Sequence, residues 1–299
     1  MTRSDHDGDG ARGVGGNAAP ARRRDLVQRV ASAMVLAPVV VAITYFGGLA
    51  FLALCMLAAA AILWEWTALV AGRGDARVLG PGWLSLALAA LLIGLGSMGA
   101  AWVAIAVGCV VAGILSASLP RSHDPPHVAA WTGGGVLYAG AVLLGPALLR
   151  RDPQWGLTAL LFLFATVWST DIFAFFAGRA IGGAKLWPRV SPHKTWSGAA
   201  AGLAGGVAAG IAVAYASGIG KLGIVGVMAL LLSVLAQAGD LFESAVKRRF
   251  GAKDASHLIP GHGGLMDRLD GFLVAAFAAL LIGLVRQGTA APAAGFLVW

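Results

Sequence analysis

Residues 50–70 read AFLALCMLAAAAILWEWTALV, a stretch of 21 predominantly apolar residues. A helix of about this length crosses a hydrocarbon layer ~30 Å thick. Similar stretches follow one another closely from residue 30 onward, and they predict nine membrane-spanning helices, at residues 31–48, 50–70, 82–98, 101–119, 128–148, 156–177, 198–218, 221–239 and 271–287. A β-barrel would instead show ~10-residue segments of alternating hydrophobicity. The sequence therefore predicts an all-α, polytopic integral membrane protein.

The composition of the whole chain leads to the same class. Of its 299 residues, 58% are hydrophobic and 12% are charged, and the mean hydropathy is +0.79. Soluble domains carry roughly 25% charged residues, so a soluble enzyme, a disordered scaffold and a secreted disulfide protein are all disfavoured. The net charge of +8 comes without any nucleic-acid-binding motif, so no nucleic-acid partner is expected.

The distribution of basic residues predicts the orientation in the membrane. Residues 1–28 are rich in Gly, Asp and Arg and predict a disordered, basic cytoplasmic tail. With nine spans and this tail inside, 18 of the 22 Lys and Arg residues lie on the cytoplasmic side, as the positive-inside rule requires. We expect a transmembrane scaffold over residues 29–155 and a catalytic region over residues 156–299, in a bacterial inner or plasma membrane.

Charged residues are concentrated in one part of the chain. Residues 171–270 contain 16 of the 36 charged side chains, and charge near a bilayer is costly enough to indicate a functional site. Asp240, Glu243, Ser244 and Lys247 are spaced i, i+3, i+4 and i+7, which places them on one face of a helix that continues the span 221–239. By itself, an amphipathic helix end would also explain this face.

A second polar segment extends from Lys253 to Asp270. Within it, His262-Gly263-Gly264 can present backbone N–H groups to an anion just before a helix N-terminus. Asp267 and Asp270 share a face of the first helical turn, and two carboxylates so close together favour a divalent cation between them. Aspartates that favour the helix dipole would explain part of this pattern.

A third polar element lies around the loop between the spans 156–177 and 198–218. Asp171 lies inside the first of these spans, where a carboxylate needs a partner. The loop contains Ser191-Pro192-His193-Lys194-Thr195, whose lysine and hydroxyl groups can hold phosphate oxygens. A capped helix start after a proline explains the loop equally well.

Together these residues resemble the phosphatidate cytidylyltransferase (CDP-diacylglycerol synthase) family. The family signature is Ser-x-hydrophobic-Lys-Arg, four residues, Lys-Asp, a small residue two positions later, and His-Gly-Gly-hydrophobic-x-Asp-Arg-hydrophobic-Asp. The segment from Ser244 to Asp270 matches every position. Asp171 and the Ser-Pro-x-Lys-Thr loop resemble further landmarks in the right order. The resemblance extends from about residue 30 to the end of the chain.

The resemblance implies transfer of a cytidylyl group from CTP to phosphatidic acid, with Mg²⁺ or another divalent cation as cofactor. CTP, phosphatidic acid and membrane lipids are the expected partners, together with a second copy of the chain in a homodimer. Catalytic roles would fall to Asp240, Asp267, Asp270 and Lys247, with Asp240, Asp267 and Asp171 as candidate metal ligands. The expected substrate-binding residues are Ser191, Lys194, Thr195, Ser244, Arg248, Lys253, His262, Gly263, Gly264 and Arg268.

Two departures from the family pattern and three alternative functions remain at this point. Family members generally have Ser-Pro-Lys-Lys-Thr-x-Glu-Gly, whereas this chain has His193 for the first lysine and Ser197 for the glutamate.

A related enzyme acting on another lipid phosphate, such as an archaeol-type or polyprenyl acceptor, would carry the same phosphate-binding residues. A transporter of an anionic solute would place its charges near the midplane in two repeats, and no matching repeat is visible. A purely structural scaffold leaves the signature unexplained.

Overall fold

A computed structural model of the chain describes residues 34–71, 76–117, 128–256, 258 and 263–299. The predicted basic tail, and His262 of the expected backbone cradle, lie outside the described residues. The described chain forms ten helices and one short hairpin. They are α1 (Met34–Phe46), α2 (Gly48–Ala71), α3 (Ala76–Gly94), α4 (Met98–Ala117), α5 (Val128–Arg150), α6 (Gly156–Ile181), β1 (Lys185–Trp187), β2 (Ser191–Thr195), α7 (Trp196–Ala216), α8 (Leu222–Arg249), α9 (Met266–Gln287) and α10 (Pro292–Leu297).

Seven of these helices are long and apolar enough to cross a membrane: α2, α4, α5, α6, α7, α8 and α9. The protein is therefore a polytopic membrane protein, as predicted. The segments predicted as spans at 31–48 and 82–98 correspond to shorter apolar helices, Met34–Phe46 and Leu79–Gly94. At 1.5 Å per residue, the described part of α1 is only about 20 Å long, which is less than the ~30 Å of a hydrocarbon layer.

Helices α6, α7 and α8 approach one another closely through small residues. A Cβ atom on Gly206 of α7 would lie 2.4 Å from Oγ1 of Thr170 on α6 and 3.1 Å from Oγ of Ser233 on α8. Those two hydroxyls are themselves 2.6 Å apart and hydrogen-bonded. Glycine at this contact lets the backbones approach, as is common where membrane helices pack. This packing fixes α6 beside α8, which carries Ser244, Lys247 and Arg248 of the signature.

At the opposite end of α6, the helix start is held by Asp152. Oδ1 of Asp152 accepts hydrogen bonds from the backbone N–H groups of Gln154 (3.1 Å) and Trp155 (3.0 Å). Oδ2 accepts one from Ala294 of α10 at 2.9 Å. Because the side chain is only 3% exposed, this carboxylate joins the start of α6 to the C-terminal helix.

The chain between α6 and α7 forms an antiparallel two-stranded hairpin, which the all-α prediction did not include. Lys185 pairs with Thr195 and Trp187 pairs with Ser191. Gly182 and Gly183 adopt positive φ angles of 66° and 98° at the exit from α6, where an L side chain would be strained. Thr195 then caps α7, its Oγ1 accepting from the N–H of Gly198 at 3.1 Å. The hairpin thereby holds Lys194 next to α8.

Candidate functional site

Eight of the predicted site residues line one cavity of about 1680 Å³: Asp171, Lys194, Thr195, Asp240, Lys247, Asp267, Arg268 and Asp270. Its polar part is formed by α6, the hairpin, α8 and the start of α9. Helices α8 and α9 supply the carboxylates because both remain helical outside their apolar segments: α8 continues to Arg249 and α9 begins at Met266. The charged residues in the lining are Asp171, Arg179, Lys185, Lys194, Asp240, Glu243, Lys247, Asp254, Asp267, Arg268 and Asp270.

Three carboxylates of this cavity come together. Asp240, Glu243 and Asp270 each offer an oxygen, and the three oxygens lie within 4.8 Å of one another. Asp240 and Glu243 are on successive turns of α8, and Asp270 faces them from the second turn of α9. Glu243 was predicted to share the polar face of α8 but was not among the predicted site residues. Asp171 lines the same cavity from α6.

Two lysines offset part of this negative charge. Nζ of Lys247 is 2.7 Å from Oε2 of Glu243 and 2.6 Å from Oδ1 of Asp267. Lys194, carried by β2, forms an ion pair with Oδ2 of Asp240. The Lys247 pairs are more buried: its side chain is 12% exposed and that of Glu243 is 1% exposed, whereas Lys194 and Asp240 are 27% and 32% exposed.

Asp267, which shares Lys247 with Glu243, also binds its own loop. Its Oδ2 accepts hydrogen bonds from the N–H groups of Gly264 (2.9 Å) and Ala255 (3.2 Å). The N–H of Gly264, predicted to bind a substrate anion, is therefore paired with a carboxylate of the protein. A Cβ atom on Gly264 would lie 3.0 Å from the same Oδ2 and 2.9 Å from Oε1 of Glu65. This lack of space explains why residue 264 is a glycine.

Glu65 of α2 is a site residue that the sequence analysis missed. It is fully buried, and it accepts hydrogen bonds from the backbone N–H groups of Leu265 and Met266 at 2.8 and 2.6 Å. A signal for it was present, because a carboxylate in the middle of an apolar span is expensive and indicates a function.

The remaining predicted substrate-binding residues have different environments. Arg248 donates to the backbone carbonyls of Val190 (3.5 Å) and Ala252 (3.3 Å), which connects α8 to the hairpin. Ser244 Oγ donates to Asp240 Oδ1 at 3.5 Å. Lys253 and Arg268 are exposed, and Arg268 also lines the cavity.

The two departures from the family pattern lie in the hairpin region. Oγ of Ser197 donates to the carbonyl of Gly182 at 2.5 Å and lies 3.1 Å from Oγ1 of Thr195, so Ser197 joins the two ends of the hairpin. His193 is exposed on β2 and lines the cavity beside Lys194.

The three-carboxylate cluster has the donor set that a hard divalent cation takes. All three residues offer oxygen, the ligand atom that Mg²⁺ prefers in proteins. Glu243 is 1% exposed, yet its Oε1 has no hydrogen-bond donor among the described residues. A buried carboxylate oxygen without a donor is costly, and a bound cation would satisfy it. The residues present therefore fit a divalent cation at Asp240, Glu243 and Asp270.

Comparison with known proteins identifies related chains over nearly the whole length. Residues 27–285 match the model of the cytidylyltransferase family. A phosphatidate cytidylyltransferase of Brucella suis is 43% identical over 280 residues, which cover 91% of this chain and 98% of the relative. Phosphatidate cytidylyltransferases of Bacillus subtilis and Haemophilus influenzae are 40% and 41% identical over 129 and 142 residues, about half of each chain.

Proposed function

The chain belongs to the cytidylyltransferase family, and we propose that its cavity transfers a cytidylyl group from CTP to phosphatidic acid. The products are CDP-diacylglycerol and pyrophosphate. Phosphatidate cytidylyltransferase activity follows from the similarity to the Brucella suis enzyme over 91% of the chain. The assignment of this reaction to particular residues rests on the cavity.

The observation that supports this reaction most directly is the combination of two surfaces in one cavity. Its charged part contains the three-carboxylate cluster, Lys194 and Lys247. Its apolar part is formed by side chains of α1, α2 and α6, including Val40, Leu54, Leu57, Phe164, Trp168 and Ile172. A lipid phosphate needs both surfaces, because its acyl chains remain in apolar surroundings while the phosphate reaches charged groups. A water-soluble acceptor would need only the charged part.

We assign the divalent cation to Asp240, Glu243 and Asp270. When bound, Mg²⁺ would offset the negative charge of the phosphates and align them for displacement at phosphorus. Asp171 would complete the acidic wall from α6. The sequence analysis placed Asp267 among the metal ligands. Its hydrogen bonds to Ala255 and Gly264 and its ion pair with Lys247 favour a different role, which is to hold Lys247 and the loop before α9.

The residues of the chain would then bind and orient the reacting groups. An oxygen of the lipid phosphate attacks the α-phosphorus of CTP. The new P–O bond forms as the bond from the α-phosphorus to the oxygen bridging to the β-phosphorus breaks, and pyrophosphate leaves with that bond's electron pair. The lipid phosphate is already a nucleophile near neutral pH, so no strong protein base is required. Lys194, Lys247 and Arg268 place positive charge around the phosphates, and such electrostatic stabilisation supplies most of the catalysis in reactions of this type.

We propose the orientation in the membrane from the same residues. Lys247, Arg248 and Arg249 end α8, and Lys185, Arg189 and Lys194 lie in the adjoining hairpin region, so the positive-inside rule places this end of the molecule in the cytoplasm. CTP would enter from that side of a bacterial inner membrane, and the N-terminus is proposed to lie on the same side. The homodimer and the division into residues 29–155 and 156–299 stay predictions.

The proposed reaction can be tested with the full chain in proteoliposomes containing phosphatidic acid, with labelled CTP and Mg²⁺. Wild-type protein should form CDP-lipid and release pyrophosphate. Asp240→Asn and Asp270→Asn should each reduce the rate at least 100-fold while the protein remains folded. Asp152→Asn is a matched control, because it changes a buried aspartate at the opposite end of α6, and it should retain wild-type turnover.

Two results would contradict these assignments. Full turnover in Asp240→Asn would exclude this aspartate as a required ligand. A wild-type enzyme that uses a polyprenyl or archaeol-type phosphate in preference to phosphatidic acid would change the substrate while leaving the metal assignment intact.

A further inference from the structure

Glu65 connects the first half of the chain to the start of α9. Its Oε1 accepts hydrogen bonds from Oγ of Ser256 at 2.5 Å and from the N–H of Leu265 at 2.8 Å. Its Oε2 accepts one from the N–H of Met266 at 2.6 Å. The side chain is 0% exposed, and its partners are 191 to 201 residues away in the sequence. These contacts join α2 to Ser256 and to the start of α9.

The start of α9 needs an acceptor from elsewhere in the chain. The first N–H groups of a helix have no partner within the helix, and the N-cap residue, Leu265, makes no side-chain hydrogen bond. Little water is available to satisfy such groups at a buried site in a membrane protein. A carboxylate is well suited here, because the helix dipole favours negative charge at the N-terminus and hydrogen bonds to an ionised acceptor are strong.

The position of this helix start determines the position of two signature aspartates. Met266 immediately precedes Asp267 and lies one turn before Asp270, whose carboxylate faces Asp240 and Glu243. The backbone N–H groups of residues 264, 265 and 266 are bound in turn by Asp267, Glu65 and Glu65. A shift of α9 along or about its axis would therefore separate Asp270 from the carboxylates of α8.

We propose that Glu65 is a positioning residue for the cytidylyl transfer, acting through α9 to hold Asp270 against Asp240 and Glu243. This inference rests on the proposed function of the three-carboxylate cluster as a cation site. It adds to that site a residue of α2, from outside the signature segment. Glu65 touches no reacting group; it holds the helix that carries one.

Asp152 provides a matched control for a purely structural role. It too is a buried carboxylate that binds the first N–H groups of a helix and ties in a distant segment. It acts on α6 and α10 rather than on α9. Replacing Glu65 or Asp152 by its amide removes a similar charge and similar hydrogen bonds, so stability should fall in both variants. Only the Glu65 variant should change the cation site.

The test uses Mn²⁺ as a probe, bound to the purified full chain in detergent and measured by electron paramagnetic resonance without substrate. Glu65→Gln should bind Mn²⁺ at least 10-fold more weakly than wild type, because an amide cannot accept from Leu265, Met266 and Ser256 together. The Mn²⁺ concentration for half-maximal CDP-lipid formation should rise by a similar factor. Asp152→Asn should bind Mn²⁺ within twofold of wild type.

Three outcomes would overturn the inference. Mn²⁺ affinity within twofold of wild type in Glu65→Gln is the first, and an equal loss of affinity in Asp152→Asn is the second. If Glu65→Gln does not fold, Ser256→Ala removes one of the three hydrogen bonds and should weaken Mn²⁺ binding two- to fivefold; unchanged binding is the third. Mn²⁺ binding needs no turnover. A wild-type protein that binds the ion but forms no CDP-lipid would therefore contradict the proposed reaction, while the Mn²⁺ affinity of Glu65→Gln relative to wild type would still test the role of Glu65.

Discussion

Removing the cation of Lys247 should destabilise the protein far more than removing that of Lys194. Lys247 lies between Glu243 and Asp267, at 2.7 and 2.6 Å, and these side chains are 1% and 10% exposed. In Lys247→Met both carboxylates lose their ion pair inside the protein. Breaking a buried pair in this way costs about 3–5 kcal/mol. Lys194 and Asp240 are about one-third exposed, and such pairs contribute about 0–1 kcal/mol.

The difference should be visible in the thermal stability of the purified proteins. In a chain of this size each kcal/mol lowers Tm by about 2–4 °C, so Lys247→Met should lower the apparent Tm by roughly 10 °C. Lys194→Met should change it by at most about 4 °C. The apparent Tm can be read from the folded fraction that remains after heating, by size-exclusion chromatography in one detergent at one heating rate.

A double variant tests the physical reason for the loss. Lys247→Met combined with Glu243→Gln removes the buried negative charge together with its cation. It should recover part of the stability lost in the single variant, as expected for directly interacting residues. The ion pair does not stabilise the fold if Lys247→Met unfolds at the wild-type temperature. The same conclusion holds if the loss of stability in the double variant equals the sum of the losses in the two single variants. The role of Lys247 would then be limited to substrate binding.

Two further substitutions test the loop before α9 and the hairpin. Gly264→Ala would place a Cβ 2.9 Å from Oε1 of Glu65, so turnover should fall at least 10-fold. Gly220→Ala, with open space around its Cβ, should behave as wild type. Equal turnover in the two variants would contradict the importance of the close contact between residue 264 and Glu65. Ser197→Ala loses the hydrogen bond to Gly182, worth about 1 kcal/mol, and should raise the KM for CTP several-fold with little change in kcat. An unchanged KM would show that the hydrogen bond from Ser197 to Gly182 does not position the hairpin.

The apolar pattern predicted the number of hydrophobic segments well and their lengths less well. Each of the nine predicted segments is mostly helical over its described residues, but α1 and the apolar part of α3 are short. Helix α3 contains Pro81, and it begins before the apolar part, at Ala76, and includes Arg77. Hydropathy ended one apolar span at residue 239 and started the next at residue 271. As the spacing of the polar residues predicted, the helices extend beyond these limits, α8 to Arg249 and α9 from Met266. Those turns are polar because they face the cavity.

Lys247, Asp267 and Asp270 of the signature line one cavity with Asp240, but the sequence did not predict which carboxylates share a cluster. Asp267 and Asp270 are three residues apart, so on a helix they point about 60° apart. That difference is enough for Asp270 to face Asp240 on α8 while Asp267 turns back to its loop and to Lys247. Spacing along one helix cannot specify which neighbouring element each side chain meets. The packing of α8 against α9 determines this.

Glu65 shows why the site is larger than the signature. The specified positions of the signature between Ser244 and Asp270 could be assigned by pattern, yet the N–H groups at the start of α9 find their acceptor on α2. No acceptor at the N-cap could replace it, because Leu265 has an apolar side chain. A buried carboxylate is tolerated in α2 only because these donors surround it, and the donors are satisfied only because it is there. The boundary proposed at residues 155 and 156 therefore separates the signature from the rest of the sequence, but it does not separate the active site from the first half of the fold.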